Sequence, residues 1–227
     1  MPEQLIPPVE PEMAPRCAVL PLCGLAGAVA FGLLPIANWL IQGDSMADKL
    51  AREAIWWGMA LAILLWLTLA ERLPLSSIGF RRPTWKGAAV AVLAAVVVTA
   101  VMVVEFAVVM PLLHLSRDAI LAKQQSILQT PYWYRVLLVS RAAVVEEIIY
   151  RGYIIEKVRQ LSGSAALAVM VSIAVFAFAH LRGWGAAHLL AVGASGAVFA
   201  LLYIWRRDLP SNMLAHFLSD AAGFLTR

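Results

Sequence analysis

Apolar residues along this chain fall into long unbroken runs, not into short alternations. The runs are Cys17–Ile41, Ala54–Ala70, Gly87–Leu113, Tyr134–Arg159, Ala165–Leu181, Gly185–Trp205 and a shorter Asn212–Leu225. Roughly 20 residues at a rise of about 1.5 Å each cross the hydrocarbon of a bilayer. The first six runs therefore predict membrane helices. The seventh is short for a full crossing and is expected to be tilted, partly re-entrant or buried within the bundle. Polar breaks separate the runs: GDSMADKLARE with Asp44, Lys49 and Arg52, ERLPLSSIGFRRPTWKG with Arg72, Arg81, Arg82 and Lys86, the segment Ser116–Arg135, LSGS, and RRDLPS. Pro35 predicts a kink in the first helix. Trp56, Trp57 and Trp133 suit an interfacial belt, and the polar EKVRQ end of the fourth helix is expected to leave the bilayer. The expected fold is all-α, a polytopic transmembrane bundle of about seven helices. A disordered Pro-rich tail is expected over 1–16. One membrane domain is expected over 17–227, with its functional core at about 134–225.

Composition sharpens this picture. The chain has 227 residues, of which 62% are hydrophobic and 14% charged, and a mean hydropathy of +0.79. A soluble domain is roughly a quarter charged. No soluble second domain fits in the remaining length. The net charge of +4 belongs to loops facing anionic lipid, not to nucleic-acid binding. With seven crossings, loop cations divide nine to seven in favour of the side holding the N-terminus, a weak preference for that side being cytoplasmic. Cys17 and Cys23 lie six apart, off any shared helix face, and show neither a disulfide framework nor a zinc motif. The N-terminus lacks the basic region of a cleavable signal peptide. No internal repeat is visible.

Charge inside the apolar runs changes the picture most. The fourth run contains AAVVEEIIYRG, with Glu146, Glu147 and Arg151 at expected bilayer depth. A carboxylate there costs at least a few kcal/mol, about 3, unless it is paired or faces a polar cavity. An i,i+4 Glu147–Arg151 salt bridge has the favoured orientation and explains Glu147 as a structural lock. Glu146 points about 100° away and is left without such a reason. His180 follows Phe176 by one turn, and Asn212, His216 and Asp220 share one helix face. Glu146 lies about 22 Å along a helix from the turn at Leu161, and His180 about 24 Å from Ser164, so an antiparallel hairpin sets them side by side. His216 is only about 8 Å from Ser211 and joins them only if the RRDLPS loop dips inward or the sixth helix is short. Glu105, alone in the third run, lines a cavity or pairs with Arg141. His188 reads as interfacial and His114 as a helix end. Tyr150, Tyr153 and the glycines of the sixth helix read as packing residues.

A carboxylate in an apolar pocket serves as general base for water, a histidine beside it shares that water, and a second histidine stabilises an oxyanion. These are the parts of a peptide-hydrolysing site. Glu146, His180 and His216 are equally the residue types that bind zinc, although the HExxH pattern is absent.

EExxxR (Glu146, Glu147, Arg151, then Gly152), FxxxH (Phe176, His180) and HxxxD (His216, Asp220), in order on successive helices, resemble the CPBP family. These are the CAAX-prenyl protease and bacteriocin-processing intramembrane endopeptidases. The loop SSIGFRRPTWKG is also similar to one carried by many bacterial members. The resemblance covers about Arg141–Phe224. It implies an integral, multi-pass protein of a bacterial inner (plasma) membrane that cleaves a membrane-associated peptide or protein near its C-terminus. It implies Glu146 as the base that activates water, His180 as a second holder of that water, Glu147 and Arg151 as electrostatic orienters, and His216 with Asp220 at the oxyanion. An ionised Asp220 would repel an oxyanion, so this residue is expected to be protonated or to orient His216. The glutamate-type reading needs no cofactor. A divalent metal such as zinc, on Glu146, His180 and His216, is the alternative. Two other functions fit the same residues: a proton- or ion-coupled transporter using Glu105, Glu146, Glu147 and the histidines as a relay, and an inactive immunity or scaffold protein.

Overall fold

A computed structural model describes residues 19–34 and 36–226. The expected tail over 1–16, Cys17 and the kink at Pro35 lie outside the described residues. Within them every regular element is helical. We number the helices α1 (Val19–Leu33), α2 (Ile36–Leu40), α3 (Met46–Ala70), α4 (Trp85–Leu112), α5 (Asp118–Leu128), α6 (residues 132–162), α7 (Ala165–Trp184), α8 (His188–Arg206) and α9 (Leu209–Phe224).

Four of these, α3, α4, α7 and α8, are long and apolar enough to cross a membrane. The other three runs of the sequence are helical too, but they differ in kind from the expected seven like crossings. α1 has 15 residues and α9 has 16, while α6 is long yet carries buried charges at its centre. The outer faces of the bundle are apolar: Leu61, Val96, Val103, Met170, Phe178 and Leu201 are all exposed. Such a surface suits lipid, not water.

α6 is the axis of the molecule. Between Ala142 and Ile155 every residue but Val144 is buried, the signature of a helix enclosed on all sides. Its core side chains, Ile148, Ile149, Tyr150, Tyr153, Ile154 and Ile155, form one cluster with Ile63 and Leu67 of α3, Phe176 of α7 and Tyr203 of α8. Over the same stretch the helix winds at π pitch, a form otherwise rare and concentrated at functional sites. Tyr150 and Tyr153 are packing residues with bonded hydroxyls, to the Gly32 carbonyl at 3.2 Å and to Glu71 at 2.6 Å.

Helix starts are set by short polar side chains. Ser45 and Asp48 form a reciprocal capping box. It begins α3 at Met46, eight positions before the apolar run, and so carries Glu53 into the bundle as a buried residue. Thr84 and Ser164 cap α4 and α7, and Gly163, at φ 72°, makes the α6–α7 turn. The polar EKVRQ end of α6 is packed inside the protein at its first residues. Lys157 is buried against Glu71, and Glu156 accepts from Tyr203 and Arg207 at 3.0 Å each. A buried cation of this kind is tolerated because its partner is buried with it.

The RRDLPS loop does dip inward. Asp208, Leu209, Ser211 and Asn212 are all buried. Asp208 caps α9 through Ser211, at 3.3 Å to its N–H and 2.6 Å to its hydroxyl. The Leu209 N–H bonds the Gly79 carbonyl at 2.8 Å. Gly79 must be glycine: its φ is +83° and a Cβ would lie 2.8 Å from the Tyr203 ring. The basic loop before α4 thereby seats the first turn of α9 inside the protein.

Candidate active site

Glu147 is the hub of the buried polar groups. Its side chain is fully enclosed. Arg151 Nη1 donates to Oε1 at 2.9 Å, His216 Nδ1 meets the same oxygen at 2.9 Å, and Asn212 Nδ2 donates to Oε2 at 3.2 Å. The expected i,i+4 pair is present, and two residues of α9 join it. Arg151 is further held by the Gly196 carbonyl at 3.3 Å and lies over the rings of Phe176, at 4.2 Å, and Phe199, at 5.3 Å. Gly196 permits this approach, since a Cβ there would meet Phe176 at 2.9 Å. The Phe176 of FxxxH is therefore a platform for the arginine of EExxxR.

Glu146 faces a different set of partners. It is buried but not sealed, at 8% exposure against 0% for Glu147. Arg141 Nη1 donates to its Oε1 at 2.8 Å. Arg141 Nε donates to Glu53 Oε2 at 3.0 Å, and the guanidinium lies 5.4 Å over the Trp56 ring. Trp56 is thus a support for Arg141, while Trp57 is 38% exposed. Tyr134 Oη approaches the other Glu53 oxygen at 3.4 Å. The suggested Glu105–Arg141 pair does not form. Glu105 Oε2 is buried with no hydrogen-bond partner.

The histidines occupy distinct positions. His180 Nδ1 lies 2.8 Å from the Phe176 carbonyl. A carbonyl only accepts, so Nδ1 carries a hydrogen and donates this bond, which leaves Nε2 outside it. His216 stacks on Phe199 with ring centroids 4.8 Å apart. Its Nδ1 points to Glu147 and its Nε2 lies 3.6 Å from Asp220 Oδ2. That distance is an electrostatic contact, longer than a hydrogen bond. Asp220 is partly open, at 31% side-chain exposure, and lies within electrostatic reach of Glu146, His180 and Arg141. The groups from α6, α7 and α9 thus share one region. His188 is buried, stacked on Trp184 at 4.8 Å and 6.3 Å from the His180 ring.

Glu53 is the residue that sequence reasoning missed. It sits at the end of a polar break, where one more carboxylate reads as loop. The signal that could have found it is the Ser45–Asp48 capping pattern, which moves the helix start ahead of it. The donors of the metal alternative do not come together as a metal-holding group: among the described residues no cluster of three or more His, Cys, Asp or Glu has that spacing.

Residues 128–222 match the family model described as Type II CAAX prenyl endopeptidase Rce1-like. No curated protein and no solved structure matches the chain. The matched segment holds all three motifs and nearly all of α6 to α9, and leaves out α3 with Glu53. Over residues 128–222 the chain is similar to the Rce1-like CAAX endopeptidases, the class that its motifs resemble.

Proposed function

We propose that this protein hydrolyses a peptide bond near the C-terminus of a membrane-associated peptide or protein, in a bacterial plasma membrane, with water activated by Glu146. The observation that carries this reading is the division of labour between adjacent carboxylates. Glu147 is sealed and fully bonded, whereas Glu146 is held through one oxygen and keeps some surface open. A base needs an accessible oxygen of fixed direction, and Glu146 meets that need.

In this mechanism Glu146 takes a proton from a water whose other hydrogen is accepted by His180 Nε2. The resulting hydroxide attacks the scissile carbonyl. His216, flanked by Glu147 and Asp220, carries hydrogen on both ring nitrogens and donates from Nε2 to the developing oxyanion. Asp220 then acts by orienting and charge-balancing His216. As the C–N bond breaks, the proton held by Glu146 passes to the leaving amine, which returns the base to its starting state. Gathering of these groups at one place also favours hydrolysis over a proton relay, which would distribute them along the membrane normal.

The test is turnover in proteoliposomes of membrane-anchored peptides, with and without a prenylated C-terminal cysteine, in oxygen-18 water. The expected product is a new C-terminus carrying one solvent oxygen, formed by the wild type and lost in Glu146→Gln. Absence of product from every peptide, together with an ion flux that depends on Glu146, would overturn the reading in favour of transport.

A further inference from the structure

We infer that Arg141 and Glu53 form a positioning device for Glu146, so that α3, outside the family-matched segment, completes the active site. The inference rests on the hydrolytic reading above and deepens it. The geometry is a bridge. One guanidinium donates from Nη1 to Glu146 Oε1 at 2.8 Å and from Nε to Glu53 Oε2 at 3.0 Å. Trp56 lies beneath it at 5.4 Å, and Tyr134 Oη approaches the free Glu53 oxygen at 3.4 Å.

Each contact has a consequence for Glu146. Arg141 starts one turn before Glu146 on the same helix, so by itself it could follow the flexing of α6. Glu53 ties it to a second helix, and the Trp56 face restricts the plane of its fork. A planar guanidinium transmits that restraint, because its donors have fixed mutual directions. With Oε1 committed to Nη1, the remaining oxygen of Glu146 has one direction left to face. Two carboxylates sharing one cation also leave that cation only partly spent on either. Glu146 is therefore anchored without being enclosed, unlike Glu147, on which three donors converge.

A displacement of about 1 Å in a reacting group costs on the order of 10²-fold in rate. Arg141→Met is expected to lower kcat by roughly tenfold to a hundredfold with KM little changed, and Arg141→Lys to recover only part of it. Glu53→Ala is expected to lower kcat in the same sense. The double variant Glu53→Ala/Arg141→Met should be no worse than Arg141→Met alone, because the glutamate acts through the arginine.

The experiment is a kinetic double-mutant cycle on the full chain in proteoliposomes, with thermal unfolding followed in parallel. Arg141→Met should lower kcat far more than it lowers the folded fraction, because the arginine acts on Glu146. A merely structural role would lower kcat and the folded fraction in equal proportion, with a matching fall in unfolding temperature. Glu53→Gln, of the same size as glutamate, serves where Arg141→Met does not fold. Wild-type kcat in Glu53→Gln and Arg141→Lys, with Glu146→Gln inactive, would overturn the positioning role alone. A fully active Glu146→Gln would overturn the hydrolytic reading beneath it.

Discussion

Glu146 and Glu147 are neighbours in the chain, yet their side chains meet different chemistry. Glu147 balances Arg151 and His216 with no access to water, so removing it leaves a guanidinium buried without its counter-charge. Breaking a buried pair in this way costs about 3–5 kcal/mol. Glu147→Ala is therefore expected to lower the unfolding temperature sharply, read by thermal denaturation in detergent. Glu146→Gln leaves Arg141 with Glu53 and is expected to keep the wild-type stability to within about 1 kcal/mol while abolishing turnover. The opposite ranking of the two variants would exchange the roles assigned to the two carboxylates. These residues were legible in the sequence because a charge in an apolar run needs a reason. Glu53 was not legible, because the same residue type in a polar stretch needs none. The burial of His188 was not legible for a related cause: it follows a loop, and only the three-dimensional stacking on Trp184 encloses it.

At the scale of elements, the turn between α6 and α7 was legible from LSGS, whose Ser164 caps α7 and whose Gly163 takes a positive φ. The placement of α9 could not be read so simply. It depends on a contact between two loops distant in sequence, the Leu209 N–H on the Gly79 carbonyl, and on a cap by Asp208 that looks like one more charge in RRDLPS. The π pitch of α6 has no sequence signature that we recognise. Loss of a helix N-cap costs about 1 kcal/mol. Asp208→Ala is expected to lower stability by that amount. It should lower kcat further than its folded fraction accounts for, since His216 lies two turns along the same helix. Equal losses in folded fraction and in rate would show that the start of α9 does not position His216.

Among the described residues, two buried polar regions are strung along one helix. One surrounds Glu146 and Glu147. The other, about two turns further along α6, comprises Glu71 with Tyr153 and Lys157, and Glu156 with Tyr203 and Arg207. Lys157→Met is expected to destabilise the protein by about 3 kcal/mol, through the unpaired Glu71, while the folded fraction keeps the wild-type kcat in the peptide assay. A large fall in kcat per folded molecule would mean that the two regions act as one. The layout explains why a membrane bundle tolerates so many charges on its central helix: nearly every one is answered from a neighbouring element. It also explains why apolarity alone left the number of crossings open. α6 is central, but its charges set it apart from an ordinary lipid-facing span.

The most direct test of the central claim is the rate of peptide cleavage by the wild type, Glu146→Gln and His180→Ala, each measured with and without a chelator and with unfolding followed alongside. Glutamate-activated hydrolysis predicts losses on the order of 10²-fold or more in both variants, folded protein throughout, and no effect of the chelator. A wild-type rate in folded Glu146→Gln would contradict it, and loss of wild-type activity on chelation would replace the glutamate base with a metal-bound water.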